Sequence, residues 1–282
     1  MDKPVNANDI KFVKLDDISA YLKKIDRSYE DFYNEAAENV DELFGISYDD
    51  KIVGLAYIDD DVKAFIYLYI FDEYRRRGLG YAALVAAESS LKSAVKGILT
   101  EYYGNHDVAR HFAEKCGYKK KFSSAKMKYE GEAFEEQDLP VRKYRDEDYP
   151  EAFAMYAEAF HVMRLSTGCF PDSEIRQPND EERKYWAEHA DEQYVYLCGD
   201  EIVGHARIDD NEIDILSIKI SHQGKGLGRK FLKFLINRIL EKNVGAPVLW
   251  CVVGNVKARR LYESLGFKEI LRTEYAEKKL SN

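Results

Sequence analysis

The sequence is poor in the residues that would tie it to several large protein classes. Only 4 of its 282 residues are cysteine. Cys116, Cys169, Cys198 and Cys251 stand far apart, with neither the density of a disulfide scaffold nor CxxC metal-ligand spacing. They read as reduced and mostly buried, and no metal is expected. Positive charge is also short, 42 Lys and Arg against 51 Asp and Glu for a net charge of −9. Binding to nucleic-acid phosphate rests on clustered cations, so no nucleic-acid partner is expected. An acidic surface suits a cationic acceptor, and more simply the solubility of an intracellular protein. Long apolar runs are missing as well. The longest, Ala64 to Phe71, falls far short of the ~20 residues that span a bilayer. The opening Met1-Asp2-Lys3-Pro4-Val5-Asn6 has no signal-peptide apolar core. No membrane partner and a cytoplasmic location are the default expectations.

What is present argues for a folded chain. Hydrophobic residues make up 45%, with 21 Tyr and 14 Phe, enough apolar mass to bury a core. The length fits one large domain or two of average size. An internal repeat decides between them. Asp50-Lys-Ile-Val-Gly-Leu-Ala-Tyr-Ile-Asp-Asp60 recurs as Asp200-Glu-Ile-Val-Gly-His-Ala-Arg-Ile-Asp-Asp210, identical at 8 of 11 positions. Arg75-Arg-Arg-Gly-Leu-Gly80 then matches Gln223-Gly-Lys-Gly-Leu-Gly228, and Asn105 to Gly117-Tyr118 matches Asn255 to Gly266-Phe267. Three landmarks in one order mean two copies of one fold. The acidic, proline-terminated stretch from Gly131 to Pro140 marks the seam, giving expected domains 1–132 and 138–282.

Each copy reads as strand, helices, a meander of strands, a Gly-rich turn, helix, strand, helix and closing strand. That is a mixed α/β (α+β) class, a twisted mixed sheet flanked by helices. In the second copy Ile213, Ile215, Ile218 and Ile220 form the strand before the turn. Phe231, Leu232, Leu235, Ile236 and Ile239 then give the next helix an apolar face. Val248 to Val252 is a buried strand, and the last helix starts at an Asn255 N-cap and stops at Gly266. A strand that enters Gln223-Gly224-Lys225-Gly226-Leu227-Gly228 and leaves as a helix presents unpaired amides at a positive helix end, a cradle for phosphate. It is neither a Walker A loop nor a Rossmann fingerprint, which disfavours ATP and NAD.

These motifs resemble the GNAT acetyltransferases. Gln223-x-x-Gly226-x-Gly228 and Arg75-x-x-Gly78-x-Gly80 look like the family's [RQ]xxGx[GA] acyl-CoA signature. Asn255, Ala258, Tyr262, Gly266 and Phe267 meet its NxxAxxxYxxxGF landmark. The doubling resembles the tandem GNAT architecture of mycothiol-synthase-like proteins. The resemblance implies two tandem GNAT folds and acetyl-CoA as co-substrate, with no metal. It implies that the amides of Gln223, Gly224, Lys225, Gly226, Leu227, Gly228 and Arg229 hold the CoA pyrophosphate. The backbone at Ile218, Lys219 and Ile220 would take the pantetheine and acyl carbonyl. Asn255, and in the first copy Arg75, Arg76, Gly78 and Gly80, join the cofactor-binding candidates. Tyr262 stands at the family's position for the acid that protonates the departing thiolate, and an acceptor amine attacks the thioester directly.

The two copies are expected to differ in activity. Ala113, beside Phe112, falls where Tyr262 stands, so the first copy is expected to be non-catalytic. Glu212 and Asp214, which lead into the strand before the turn, are the candidate bases for the acceptor amine. His205, opposite Leu55 of the first copy, and His222, at the rim of the turn, are weaker choices. His161 to Arg176 has no counterpart in the first copy and is the candidate acceptor-binding loop. The alternative to an N-acyltransferase is a non-catalytic CoA or acyl-CoA-binding regulatory protein. Sheet edges that can pair leave an oligomer open.

Overall fold

The structure, a computed structural model, describes residues 5–25, 42–60 and 63–280. The first copy runs β1 (Lys11–Val13), α1 (Ser19–Leu22), β2 (Leu43–Tyr48), β3 (Lys51–Asp59), β4 (Ala64–Ile70), α2 (Leu79–Ser90), β5 (Gly97–Tyr103), α3 (Asp107–Lys115) and β6 (Lys119–Tyr129). The second runs β7 (Val141–Lys143), α4 (Tyr149–Thr167), α5 (Asp180–Glu188), β8 (Gln193–Cys198), β9 (Glu201–Asp209), β10 (Glu212–Ile218), α6 (Leu227–Lys242), β11 (Val248–Val252), α7 (Val256–Leu265) and β12 (Phe267–Lys279). The order expected from the sequence recurs in the second copy and, over the described residues, in the first, where the further helix expected before β2 lies outside them. Ile220 is the exception, because it sits in a 3₁₀ turn, Ile220–His222, and not in β10.

The expected domains 1–132 and 138–282 describe the sequence repeats, and the compact units do not follow them. One unit comprises residues 1–121 with 274–282, and the other residues 122–273. The closing strands have changed places. In the first unit the sheet order is β1-β2-β3-β4-β5 followed by the C-terminal part of β12. There Ala276 is fully buried in a core with Ala64, Ile66 and Ile98, and Lys278 bonds both oxygens of Glu88, at 2.9 and 2.7 Å. In the second unit residues 122–129 of β6 pair antiparallel with β11, from Ser124↔Val252 to Lys128↔Val248, and the order continues through β10, β9, β8 and β7. Period-2 alternation tells which residues of a strand face a core. It does not tell which sheet that core belongs to.

Local chemistry accounts for the elements around the candidate site. α6 buries Phe231, Leu232, Leu235, Ile236 and Ile239 completely, each contributing about 1.5–3 kcal/mol relative to an exposed position. α7 begins at Asn255, whose Oδ1 accepts from the Ala258 amide at 3.3 Å. It ends at Gly266 with φ +107°, a left-handed cap that side chains resist. α4 lies across β9 and β10, with Phe153, Tyr156 and Trp186 of α5 in a core completed by Val195 and Ile202.

Candidate active site

In both units the strand before the glycine turn ends in the same hydrogen-bond pattern. Phe71 donates its amide to the Val53 carbonyl at 3.0 Å, and Lys219 donates to Val203 at 2.9 Å. A single 3₁₀ turn follows in each, Asp72–Tyr74 and Ile220–His222. The first residue of each turn motif then reaches back to the strand. Arg75 Nε donates to the Ile70 carbonyl at 2.8 Å, and Gln223 Nε2 to the Ile218 carbonyl at 3.0 Å. Gln and Arg share this position because each can donate one N–H to a carbonyl. The left-handed residues also match: Arg76 at φ +65° with Gly224 at +76°, and Gly78 at +83° with Gly226 at +82°.

The turn is built as an open cradle. A Cβ added at Gly78, Gly224 or Gly226 would meet nothing within 4 Å, so the glycines serve backbone conformation and access, not internal packing. Gly78 and Gly226 are N-caps without a capping side chain, which leaves the first-turn amides of α2 and α6 pointing out at a positive helix end. Around the second cradle the cations differ in their engagements. Arg229 donates to Ser264 Oγ at 2.7 Å, and Lys219 pairs with Glu201 at 2.6 Å. Lys225 is exposed and makes no ion pair among the described residues. His222 lies 3.7 Å from Glu201 and bonds Ser221, a rim position.

Beside each turn two parallel strands separate. β10 and β11 register only at Glu212↔Val248, and β4 and β5 only at Ala64↔Ile98 and Phe65↔Leu99. Beyond those points the facing edges leave the ladder, and their polar backbone groups need other partners. The units then diverge. β10 carries a bulge, with its register to β9 shifting between Asp214 and Ser217 and Ile215 held at φ +44°. A β-branched residue at positive φ is strained, at a cost of order 1–3 kcal/mol, and bulges gather next to active sites. β4 pairs with β3 without interruption from Phe65↔Asp59 to Ile70↔Gly54. In that unit Tyr67 also donates to Glu101 Oε2 at 2.9 Å, tying β4 to β5 where the strands have parted. The sequence hides the bulge because Ile215 reads as an ordinary strand residue. Its one trace is Asp214, whose Oδ1 accepts from the Ile215 amide at 2.7 Å.

The other candidates fall into place around this opening. Tyr262 is buried, 9% exposed, with its ring 6.0 Å from Phe267. Burial, followed by the neighbouring Cys251, pushes its phenol well above the usual tyrosine range, and burial pushes the Cys251 thiol up to about 11. A Cβ on Gly228 would meet Leu261 at 3.7 Å, and one on Gly80 would meet Phe112 at 3.7 Å. Leu261 and Phe112 thus occupy the same place, and the next residues are Tyr262 and Ala113. The first unit's extra residue shifts its N-cap from Asn105 to His106, which makes no side-chain cap. Glu212 stands at the far end of β10 from Ile218, 3.8 Å from Lys126. Asp214 is exposed beside the bulge.

His205 is no catalytic candidate in this structure. It is fully buried, stacked on Trp186 at 4.5 Å, with Nε2 bonded to Gln193 Oε1 at 2.9 Å. Its Nδ1 and the nearby Tyr144 hydroxyl have no hydrogen-bond partner among the described residues. Burial pushes its pKa down to about 3, so the ring is neutral. The candidate acceptor loop lies at the end of α4, where a Cβ on Gly254, just beyond β11, would meet Thr167 Cβ at 3.4 Å.

Both copies match the acetyltransferase (GNAT) family, over residues 12–118 and 159–267, and the chain belongs to that family. A GCN5-related N-acetyltransferase from Sphaerobacter thermophilus shares its fold at TM-score 0.74 and 15% identity, with 98% of this chain and 97% of that one covered. A tandem GNAT protein from the clavulanic acid biosynthesis pathway aligns at TM-score 0.67 and 12% identity, over 97% of this chain and 100% of that one. An acetyltransferase from Colwellia psychrerythraea aligns at TM-score 0.60 and 14% identity, over 96% and 99%. A search of curated protein sequences found no match. The chain is thus an acyl-CoA-dependent acyltransferase built from two GNAT folds, of a family that uses acetyl-CoA and amine acceptors. No helix among the described residues is long and apolar enough to cross a membrane.

Proposed function

We propose that the second repeat carries the chemistry and transfers an acetyl group from acetyl-CoA to an acceptor amine by direct attack. The observation that carries this reading is the coincidence, in that repeat, of an open glycine cradle with a bulged strand at a strand separation. The first repeat has the cradle but an unbroken β4, a Tyr67–Glu101 tie and Ala113 in place of Tyr262. We infer that it is a non-catalytic partner.

Acetyl-CoA supplies the activated thioester. The amides of the turn and first helical turn from Gly224 to Arg229 fit its pyrophosphate, because Gly224 and Gly226 open onto free space and the helix start has no capping side chain, whereas the Gln223 amide is engaged by the Ile220 carbonyl. The backbone of Ile218, Lys219 and Ile220 lies between the cradle and the bulge. Because the Lys219 N–H and the Ile218 carbonyl are engaged by Val203 and Gln223, the developing oxyanion falls in this reading to a backbone N–H of β10 at the bulge. Burial keeps the Tyr262 phenol protonated at every working pH, the form a general acid requires. In this reading Asp214, beside the bulge, takes the amine's proton, whereas Glu212 stands at the far end of β10 against Lys126 and is not brought to the opening.

The test is release of free thiol from acetyl-CoA across a panel of amines. Gly226→Glu, which puts a Cβ and a negative charge into a left-handed anion cradle, should abolish release. Tyr262→Phe should lower it on the order of 10²-fold, as for a lost general acid. Binding of CoA without amine-stimulated release would instead favour a regulatory CoA-binding protein. An unchanged rate in Tyr262→Phe would remove that residue from the mechanism.

A further inference from the structure

α4 presents a stripe of Tyr156, Phe160 and Arg164, spaced four residues apart and so on one helix face. The Tyr156 and Phe160 rings lie 4.7 Å apart. The Arg164 guanidinium is 6.0 Å from the Phe160 ring and 5.9 Å from that of Phe170 in the acceptor loop. Phe170 is itself set edge-on against Phe122 at 5.2 Å. Two rings thus fix the direction of this guanidinium, leaning back toward the helix N-terminus as long helical side chains do.

Other arginines of this unit are neutralised within the protein, and Arg164 is not. Arg176 pairs with Glu182 at 2.7 Å and Arg183 with Asp146 at 2.6 Å, and Arg207 is shared between Glu192 and Asp209. Arg164 is half-buried and forms no ion pair among the described residues. Thr167, one turn further along, lies against Gly254 at the mouth of the strand separation. At the inner end of the stripe, Ile215 of the bulge packs with Phe160 against the core that contains Tyr156, so the adjoining Asp214 lies beside the stripe that ends in Arg164, and both charges act on the buried Tyr156 phenol.

Resting on the transferase reading above, we propose that the acceptor is a zwitterionic amine of the amino-acid type, with its carboxylate on Arg164 and its amino group toward Asp214. The planar fork of arginine matches a carboxylate with two parallel N–H bonds. Asp214 attracts the ammonium and accepts the proton it must lose. A polyamine would instead bring positive charge against an unneutralised guanidinium.

The test compares amino acids with their C-terminal amides, matched acceptors that differ in the carboxylate, using the full chain and acetyl-CoA. Wild type should prefer the acids by about tenfold or more in kcat/KM, the scale of one charge-assisted pair. Arg164→Gln should raise KM for the acids by about tenfold while shifting KM for the amides far less, and Arg164→Lys should recover part of the difference. Calorimetric binding of N-acetyl amino acids to the CoA-loaded protein gives the same comparison without turnover. Turnover that ignores the carboxylate, or Arg164→Gln raising KM for acids and amides alike, overturns the proposal. No turnover with any amine, but carboxylate binding that is lost in Arg164→Gln, leaves the anion site standing and removes the transferase reading. Absence of both turnover and binding removes both.

Discussion

His205 shows how a single side chain links burial to acid sensitivity. Its pKa is held down to about 3 by burial, against about 6.5 in an unfolded chain. Above pH 6.5 the ring is neutral in both states and its contribution is fully present. As pH falls below 6.5 the unfolded chain takes up a proton that the folded one refuses until about pH 3. Stability is therefore lost progressively across that window, about 5 kcal/mol at most. His205→Leu, the residue of the first copy, should lower stability at pH 7 by about 1–2 kcal/mol, because Gln193 Oε1 loses its partner. It should also flatten the decline between pH 7 and pH 4.5 in urea titrations. Equal declines in both proteins would place the acid sensitivity elsewhere. A second residue-scale prediction concerns Asn255, which caps α7 through Ala258. Asn255→Ala should cost about 1 kcal/mol of stability, and a raised KM for acetyl-CoA would show that the side chain also meets the co-substrate.

At the scale of elements, the two glycine turns allow a reciprocal test of backbone strain. Arg76 and Gly224 hold the same left-handed conformation, at φ +65° and +76°. Gly224→Ala should destabilise the second unit by about 1 kcal/mol, the cost of placing a Cβ in that region. Arg76→Gly should gain on the order of 0.5 kcal/mol, the relieved strain less the added entropy of the unfolded chain. Thermal unfolding read by calorimetry distinguishes the two signs. Most of these elements were legible in the sequence. The turn, the apolar face of α6, the Asn255 cap and the Gly266 stop all follow from local chemistry, where one residue type meets one backbone demand. The bulge was not, because its one trace, Asp214, is equally at home at the start of a regular strand. Arg164 was covered only as part of an unmatched loop, because a cation without a partner is defined by neighbours distant in sequence. His205 was misplaced at the site for a related reason, since alternation along β9 does not say which of two faces is closed by α5.

At the scale of the molecule, the repeat predicted two self-contained halves, and the compact units cut across them. The first unit contains residues 274–282, and within it Ala276 fills the core while Lys278 bonds Glu88 and Leu280 donates its amide to the Lys96 carbonyl at 3.3 Å. The second contains residues 122–129, where Ala125 and Met127 are fully buried against α6 and β11. A cut in the 131–140 seam should therefore yield two pieces that each lack a strand of one sheet while carrying an orphan strand of the other. Each piece then leaves apolar core and a bare sheet edge exposed, the condition for aggregation. Residues 1–132 and 133–282 expressed alone should be insoluble or lack cooperative unfolding, whereas expressed together they should assemble and recover acetyl-CoA binding. Cooperative unfolding of either piece alone, measured by circular dichroism, would show that each repeat can close its own sheet and that the exchange of strands adds nothing to stability.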